Sequence, residues 1–276
     1  MGPGECSLKR LIVTGDDFGI SIPVNEAIEA AHSNGILTST CLMVGEPEQQ
    51  DAVSRAKRLP DLGVGLHIVV VRGKTTLPTD QLPNITSNGV FDDNLVRAGF
   101  RYFFSPKARR QLRAEIRAQF EAFQVTGLAL DHVNAHNHMH LHPTVLSLIL
   151  ENAAEFGIKA IRLPAEKNGG LGSILLSPWI SLMRWRLRRA GIRYNDQIVG
   201  ITETGTLDQT QLLSSIATLR DGVTEIFSHP ATGQWEGMDP AASDFKFKEE
   251  FEALISPAVT AAIKNSDITL STYKDI

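Results

Sequence analysis

Apolar and polar positions along this chain switch repeatedly between two periods. Leu11-Ile12-Val13 is a short, wholly apolar run, as expected of a strand buried on both faces. Val24, Ala27, Ile28 and Ala31 follow at helical spacing, with Ser21 as a cap, Pro23 in the first turn and Asn34-Gly35 at the end. The succession then returns, with a strand over residues 39–44, a helix over 48–59 and a strand over 64–70. Residues 106–124 read as a charged amphipathic helix with Leu112, Ile116, Phe120 and Phe123 on one stripe. A fourth strand is predicted at 128–134, a helix at 143–156 before Gly157, and a fifth strand at 160–163. A loop with Gly169, Gly170 and Gly172 leads to an apolar, arginine-rich segment at 179–189. Strands at 197–201, 224–227 and 268–271 alternate with helices at 212–219, at 247–254 and after Pro257. Residues 72–104 show no sustained period, and a stretch that long points to a functional loop such as a lid.

Strand–helix alternation from end to end predicts a parallel sheet with helical crossovers. Seven or eight such units in 276 residues predict a distorted (β/α) barrel, a single domain over residues 1–276, with an open doubly wound sheet as the alternative. Composition refines this only slightly. The 42% hydrophobic content supports a large core, and a net charge of −4 gives no sign of a nucleic-acid partner. No run reaches the length of a membrane span and no signal segment opens the chain, so a cytoplasmic protein is expected. Gly15-Asp16-Asp17-Phe18-Gly19 lacks the spacing of a nucleotide-binding loop, and its acids would repel phosphate. Cys6 and Cys41 form no disulfide framework, and Cys41 reads as core packing.

The candidate chemistry lies elsewhere. His136, His138, His140 and His142 are four of the eight histidines, at alternate positions. In an extended segment they would crowd one face, which is poor packing but good metal ligation. Other polar residues fall where strands end: Asp16 and Asp17 after the first, His67 at the third, Arg162 at the fifth and His229 after Phe227. A parallel barrel gathers such ends on one face. Adjacent aspartates point in different directions, so one can bind a metal while its neighbour takes a proton from the water that the metal activates. One Asp with two His leaves coordination positions open. His229 suits a general acid or an oxyanion donor. Each residue also has a plainer use: Asp16-Asp17 as a helix cap, His67 as a hydrogen-bonded core residue, His229-Pro230 as a turn. Arg162 either orients the catalytic carboxylate, holds substrate, or pairs with Glu166.

Five motifs together resemble the YdjC-like carbohydrate deacetylase family. They are Thr14-Gly15-Asp16-Asp17-Phe18-Gly19-Ile20-Ser21, Gly35-Ile36-Leu37-Thr38-Ser39-Thr40, Gly63-Val64-Gly65-Leu66-His67, His136-Asn137-His138-Met139-His140 and Ser228-His229-Pro230. The resemblance implies a distorted (β/α) barrel that removes N-acetyl groups from amino sugars with one divalent cation. By position it implies Asp16 as catalytic base, Asp17, His67 and His136 as metal ligands, and His229 as the group assisting the leaving amine or transition state. His138 and His140 lie near the site, and with Arg162 they complete the candidate set as substrate-binding or supporting residues. Asn134 stands where many members carry Asp, which removes a carboxylate that would back His136. The ligand types suit Zn²⁺, whereas the resemblance leans to Mg²⁺.

The runs from Val13 to Gly19 and from Val69 to Lys74 resemble the branch associated with hopanoid biosynthesis, which implies a lipid-linked N-acetylglucosaminyl hopanoid as substrate. A soluble chitooligosaccharide of the diacetylchitobiose type is the alternative. A non-catalytic sugar- or metal-binding barrel is a third reading, against which the carboxylate of Asp16 beside the ligands argues. For a glycolipid the candidate rims are Phe100, Tyr102, Phe103 and Phe104, and the 179–189 segment. There Trp179, Ile180, Leu182, Met183 and Leu187 share an arc bordered by arginines. That arrangement fits peripheral contact with an anionic membrane surface, or an ordinary barrel helix with a solvated basic face.

Overall fold

The computed structural model describes residues 9–87, 89–166 and 170–276. In chain order its elements are β1 (Lys9–Phe18), α1 (Ile22–Asn34), β2 (Ser39–Leu42), α2 (Gln49–Ala56), β3 (Gly63–Ile68), β4 (Thr86–Ser87), β5 (Val90–Phe91), α3 (Leu95–Phe104) and α4 (Pro106–Val125). There follow β6 (Val133–Ala135), α5 (Pro143–Glu151), α6 (Gly170–Arg189), β7 (Gln197–Val199), α7 (Gln209–Ala217), β8 (Gly222–Ser228), α8 (Phe247–Leu254), α9 (Pro257–Lys264) and β9 (Ile268–Leu270). Ser21 caps α1 by accepting from Val24 N, as its sequence suggests.

The main sheet is parallel, in the order β6-β3-β2-β1-β8-β7. β8 flanks β1 along Lys9–Gly15, so β9 and then β2 share the other edge of β1. The predicted fifth strand, 160–163, forms only isolated bridges to Val133 and Arg193. Those bridges still carry the ring onward, because Arg162 N donates to Val133 O, Ile161 N to Arg193 O and Ile198 N to Ala165 O. The result is a distorted (β/α) barrel wrapped by helices. Leu11, Ile12 and Val13 are fully buried, as central parallel strands require. Gly65 is needed for a steric reason: a Cβ there would lie 2.6 Å from the His132 ring.

Two expectations need correction. Residues 72–104 are not aperiodic, since they contain the β4–β5 hairpin and then α3, capped by Asn94. The period was hidden because α3 buries only Ala98 and Tyr102 and leaves Val96, Phe100, Phe103 and Phe104 exposed. Tyr102 is therefore not a rim residue; its hydroxyl donates to Val70 O in the core. The arginine-rich segment is the second half of a longer helix that begins at Gly170 and contains Pro178, so Gly170 and Gly172 are helical rather than in a loop. Cys6 and Gly169 lie outside the described residues.

Candidate active site

Strand ends from β1, β3, β6 and β8 converge on one cavity of about 310 Å³, lined by Asp16, Asp17, His67, His136, His138 and His229 among others. The two aspartates reach it through a bulge. Gly15 pairs with Thr40 and Phe18 with Leu42, so β1 spends one residue more than β2 between them. Asp17 takes a left-handed conformation there, with φ 65°, and the two carboxylates part.

Asp17 Oδ1 lies 3.2 Å from His67 Nε2 and 3.2 Å from His136 Nδ1, and the two ring nitrogens are 3.4 Å apart. Three donors at such spacings suit an ion bonded to each at about 2.0–2.1 Å, and Asp-His-His is a donor set that divalent cations accept. Without a cation the three hold one another electrostatically. Burial would raise the Asp17 carboxyl, but the facing His136 and His67 rings outweigh it and keep it well below the usual carboxylate range. Burial in turn would lower His136, and Asp17 overrides it upward.

Asp16 points deeper. Arg162 Nη1 donates to its Oδ2 at 2.6 Å and Nη2 to its Oδ1 at 2.8 Å. The same guanidinium donates to Glu225 from Nε at 3.0 Å and from Nη2 at 2.8 Å, and lies over the Phe227 ring. Glu225 also accepts from Thr14 Oγ1 and from the Tyr273 hydroxyl. Of the three uses expected of Arg162, the pair with Glu166 is excluded. Glu166 instead accepts from the backbone nitrogens of Ile201 and Thr202.

Cys41 is more than packing. Its thiol sits 3.0 Å from Asp16 Oδ1 and 3.0 Å from His67 Nδ1, and burial pushes its pKa well up, so it stays a neutral contact. The Asn134 amide backs His67 rather than His136, 2.7 Å from Nδ1. It faces a conflict there. With its oxygen accepting from Arg162 at 2.9 and 3.1 Å, its nitrogen donates to His67 Nδ1. Turned over, it accepts the Nδ1–H that a ligating His67 would carry, but presents its NH₂ to the guanidinium.

The histidine run is not an extended row. It forms a 3₁₀ turn over His136–Leu141 in which Asn137 and His138 have φ 51° and 53°. This kink, rather than strand alternation, brings His138 to the cavity beside His136. His138 rests edge-on against Phe227, with Nδ1 unpartnered among the described residues. Burial and the Arg162 charge push its pKa down to about 3, so it is neutral. His140 is wholly buried beside it, and His142 lies away from the cavity against Tyr102 and Phe103. His229 also lines the cavity, between Phe227 and Phe245, with Nδ1 unpartnered among the described residues. Its backbone nitrogen donates at 2.5 Å to the buried Glu250, which also accepts from Leu207 N.

Sequence reasoning missed Glu225, Cys41, Tyr273 and Glu250. For Glu225 a signal existed: a carboxylate inside the apolar strand Val223–Phe227 must be paired to be buried.

Comparison with known proteins gives the family. The YdjC-like protein family matches residues 10–265. A carbohydrate deacetylase of Thermoanaerobacter pseudethanolicus is 26% identical, over 96% of this chain and 98% of its own. A chitooligosaccharide deacetylase of Proteus mirabilis is 28% identical, with the same coverage of each chain. A solved Enterococcus faecalis structure, described as a candidate cellobiose-phosphate cleavage protein, superposes with a TM-score of 0.77 at 23% identity, covering 98% of this chain and 99% of that one. That likeness concerns the fold. The chain belongs to the YdjC-like family and, like its carbohydrate deacetylase relatives, is a hydrolase of carbon–nitrogen bonds.

Proposed function

We propose that the protein removes the acetyl group from an N-acetylated amino sugar, at one divalent cation held by Asp17, His67 and His136. The carrying observation is the triad of donors within 3.4 Å of one another, with the Arg162-held carboxylate of Asp16 on the adjacent residue. Bound there, Mg²⁺ or Zn²⁺ would polarise the acetamide carbonyl and acidify a water.

Asp16 accepts the proton of the attacking water as its oxygen bonds to the carbonyl carbon. Arg162 keeps Asp16 ionised at every physiological pH. Glu225 shares the same guanidinium and so fixes it in place behind Asp16. His229 donates a proton to the amine as the carbon–nitrogen bond breaks, giving acetate and a free amino sugar. His138, neutral in its pocket, serves as a hydrogen-bond partner for the substrate.

The substrate reading that we favour is an N-acetylglucosaminyl group on a hopanoid lipid. Its support is the set of exposed apolar residues on two helices, Phe100, Phe103 and Phe104 on α3 and Trp179, Leu182 and Trp185 on α6. Such a protein would act in the cytoplasm at the inner membrane face; among the described residues no helix is long and apolar enough to cross a membrane. The soluble chitooligosaccharide is the second reading, supported by the relative in Proteus mirabilis. Acetate release measured on the glycolipid and on diacetylchitobiose separates them. A rate on the disaccharide far above that on the glycolipid selects the second, and release from neither rejects the deacetylase.

A further inference from the structure

Beyond the ion-binding residues, the cavity mouth carries a charged pair that the chemistry above does not use. Arg72, which follows β3, faces Asp239, which follows β8, with Nη1 and Oδ2 4.0 Å apart. That is too long for a hydrogen bond, so the two charges attract without satisfying each other. Both are fixed. Arg72 has a left-handed backbone with φ 51°, its amide donates to Asp92 O and its Nε donates to Asp93 O. Asp239 Oδ1 accepts from Ala241 N, and among the described residues no hydrogen bond reaches Oδ2. Strain at Arg72 together with an open donor and an open acceptor marks a site built for something placed between them. Trp235 and Met238 line the cavity with them, Trp235 half-buried against Phe247 with ring centroids 5.1 Å apart.

We infer that Arg72, Asp239 and Trp235 form the subsite that grips the sugar ring, and that they set the enzyme's preference for a neutral pyranose. This rests on the reading of the substrate as an amino sugar. A guanidinium donor and a carboxylate acceptor on one side suit hydroxyls that accept from one and donate to the other. An aromatic and a thioether in the lining suit the apolar face of the ring. The pair sums to zero charge, so neither a phosphate nor an ammonium is favoured, since each meets one like charge.

Calorimetric titration of diacetylchitobiose into the chelator-treated full-length protein tests this without turnover. The wild type binds, and Arg72→Gln and Asp239→Asn each raise Kd roughly tenfold, the worth of one lost hydrogen bond to a charged group, with Tm unchanged. Trp235→Leu weakens binding as well. A 6-phosphorylated sugar binds no tighter than the neutral one. Unchanged Kd in both polar variants, tighter binding of the phosphosugar, or no binding to the cation-free wild type overturns the subsite. Tight, pair-dependent binding without acetate release leaves the subsite standing and rejects the deacetylase instead.

Discussion

Arg162 holds Asp16 through two parallel hydrogen bonds, of 2.6 and 2.8 Å, inside the barrel, and turns its remaining donors to Glu225. One cation thus serves two buried carboxylates, and the three must stand or fall together. Arg162→Met leaves Asp16 and Glu225 buried with no countercharge, and we expect a loss of roughly 3–5 kcal/mol. Guanidinium unfolding of cation-free protein measures it; a loss below about 1 kcal/mol would contradict the coupling of the three charges.

The C-terminal segment is tied to the barrel by Asp131, which accepts from Lys274 N at 2.9 Å and Tyr273 N at 3.3 Å. Burial raises the Asp131 carboxyl, but the His132 ring and those two N–H groups outweigh it and hold it below 3.8, its ordinary value. A folded value below the unfolded one stabilises the protein above the unfolded value, and the gain is lost as pH falls through the folded one. Asp131→Asn should therefore cost about 1–3 kcal/mol at pH 7, with the gap to wild type closing below pH 3.8. A gap that stays constant across that range contradicts the account.

Asn134 offers its oxygen either to Arg162 or to the His67 Nδ1–H, and turns its NH₂ to the other donor. A carboxylate accepts from both. Asn134→Asp should then tighten cation binding on the order of tenfold, the lower end for a group that backs a ligating histidine. Competitive titration with a metal indicator reads this directly, and equal or weaker affinity would mean that Asn134 does not govern His67.

Much of this was legible from the sequence, for identifiable reasons. Strand and helix order could be read because Leu11–Val13, Val24, Ile28 and their counterparts are buried where their spacing says they should be. That Asp17, His67 and His136 meet could be read because a parallel barrel gathers its strand ends on one face. α3 escaped because its apolar residues face outward, and Asn94 as its cap was the surviving clue. The kink at Asn137 and His138 could not be read either, since left-handed backbone at two consecutive non-glycine residues has no sequence signature. Of the partners of Arg162, the carboxylate of Asp16 was among the expected ones, but Glu225 was not, because it lies 63 positions away and nothing local connects them.

The exposed apolar residues on α3 and α6 predict binding to anionic liposomes that weakens with salt. Met183 and Leu187 of α6 are buried, so the residues to replace are the outward Trp185 and Phe104. Trp185→Ser with Phe104→Ser should reduce liposome binding while turnover of diacetylchitobiose persists. Sedimentation with vesicles decides it, and wild-type protein that stays in the supernatant at low salt removes these residues as a lipid surface.

The most direct test of the central claim measures bound metal and acetate release in the same samples of wild type, Asp16→Asn and Asp17→Asn. The account predicts one divalent ion per wild-type chain and acetate matched by free amine. Asp16→Asn should keep its ion and lose turnover by roughly 10²–10⁴-fold, whereas Asp17→Asn should lose the ion itself. Full turnover by chelated wild type, or an Asp17→Asn variant that keeps both ion and rate, would contradict it.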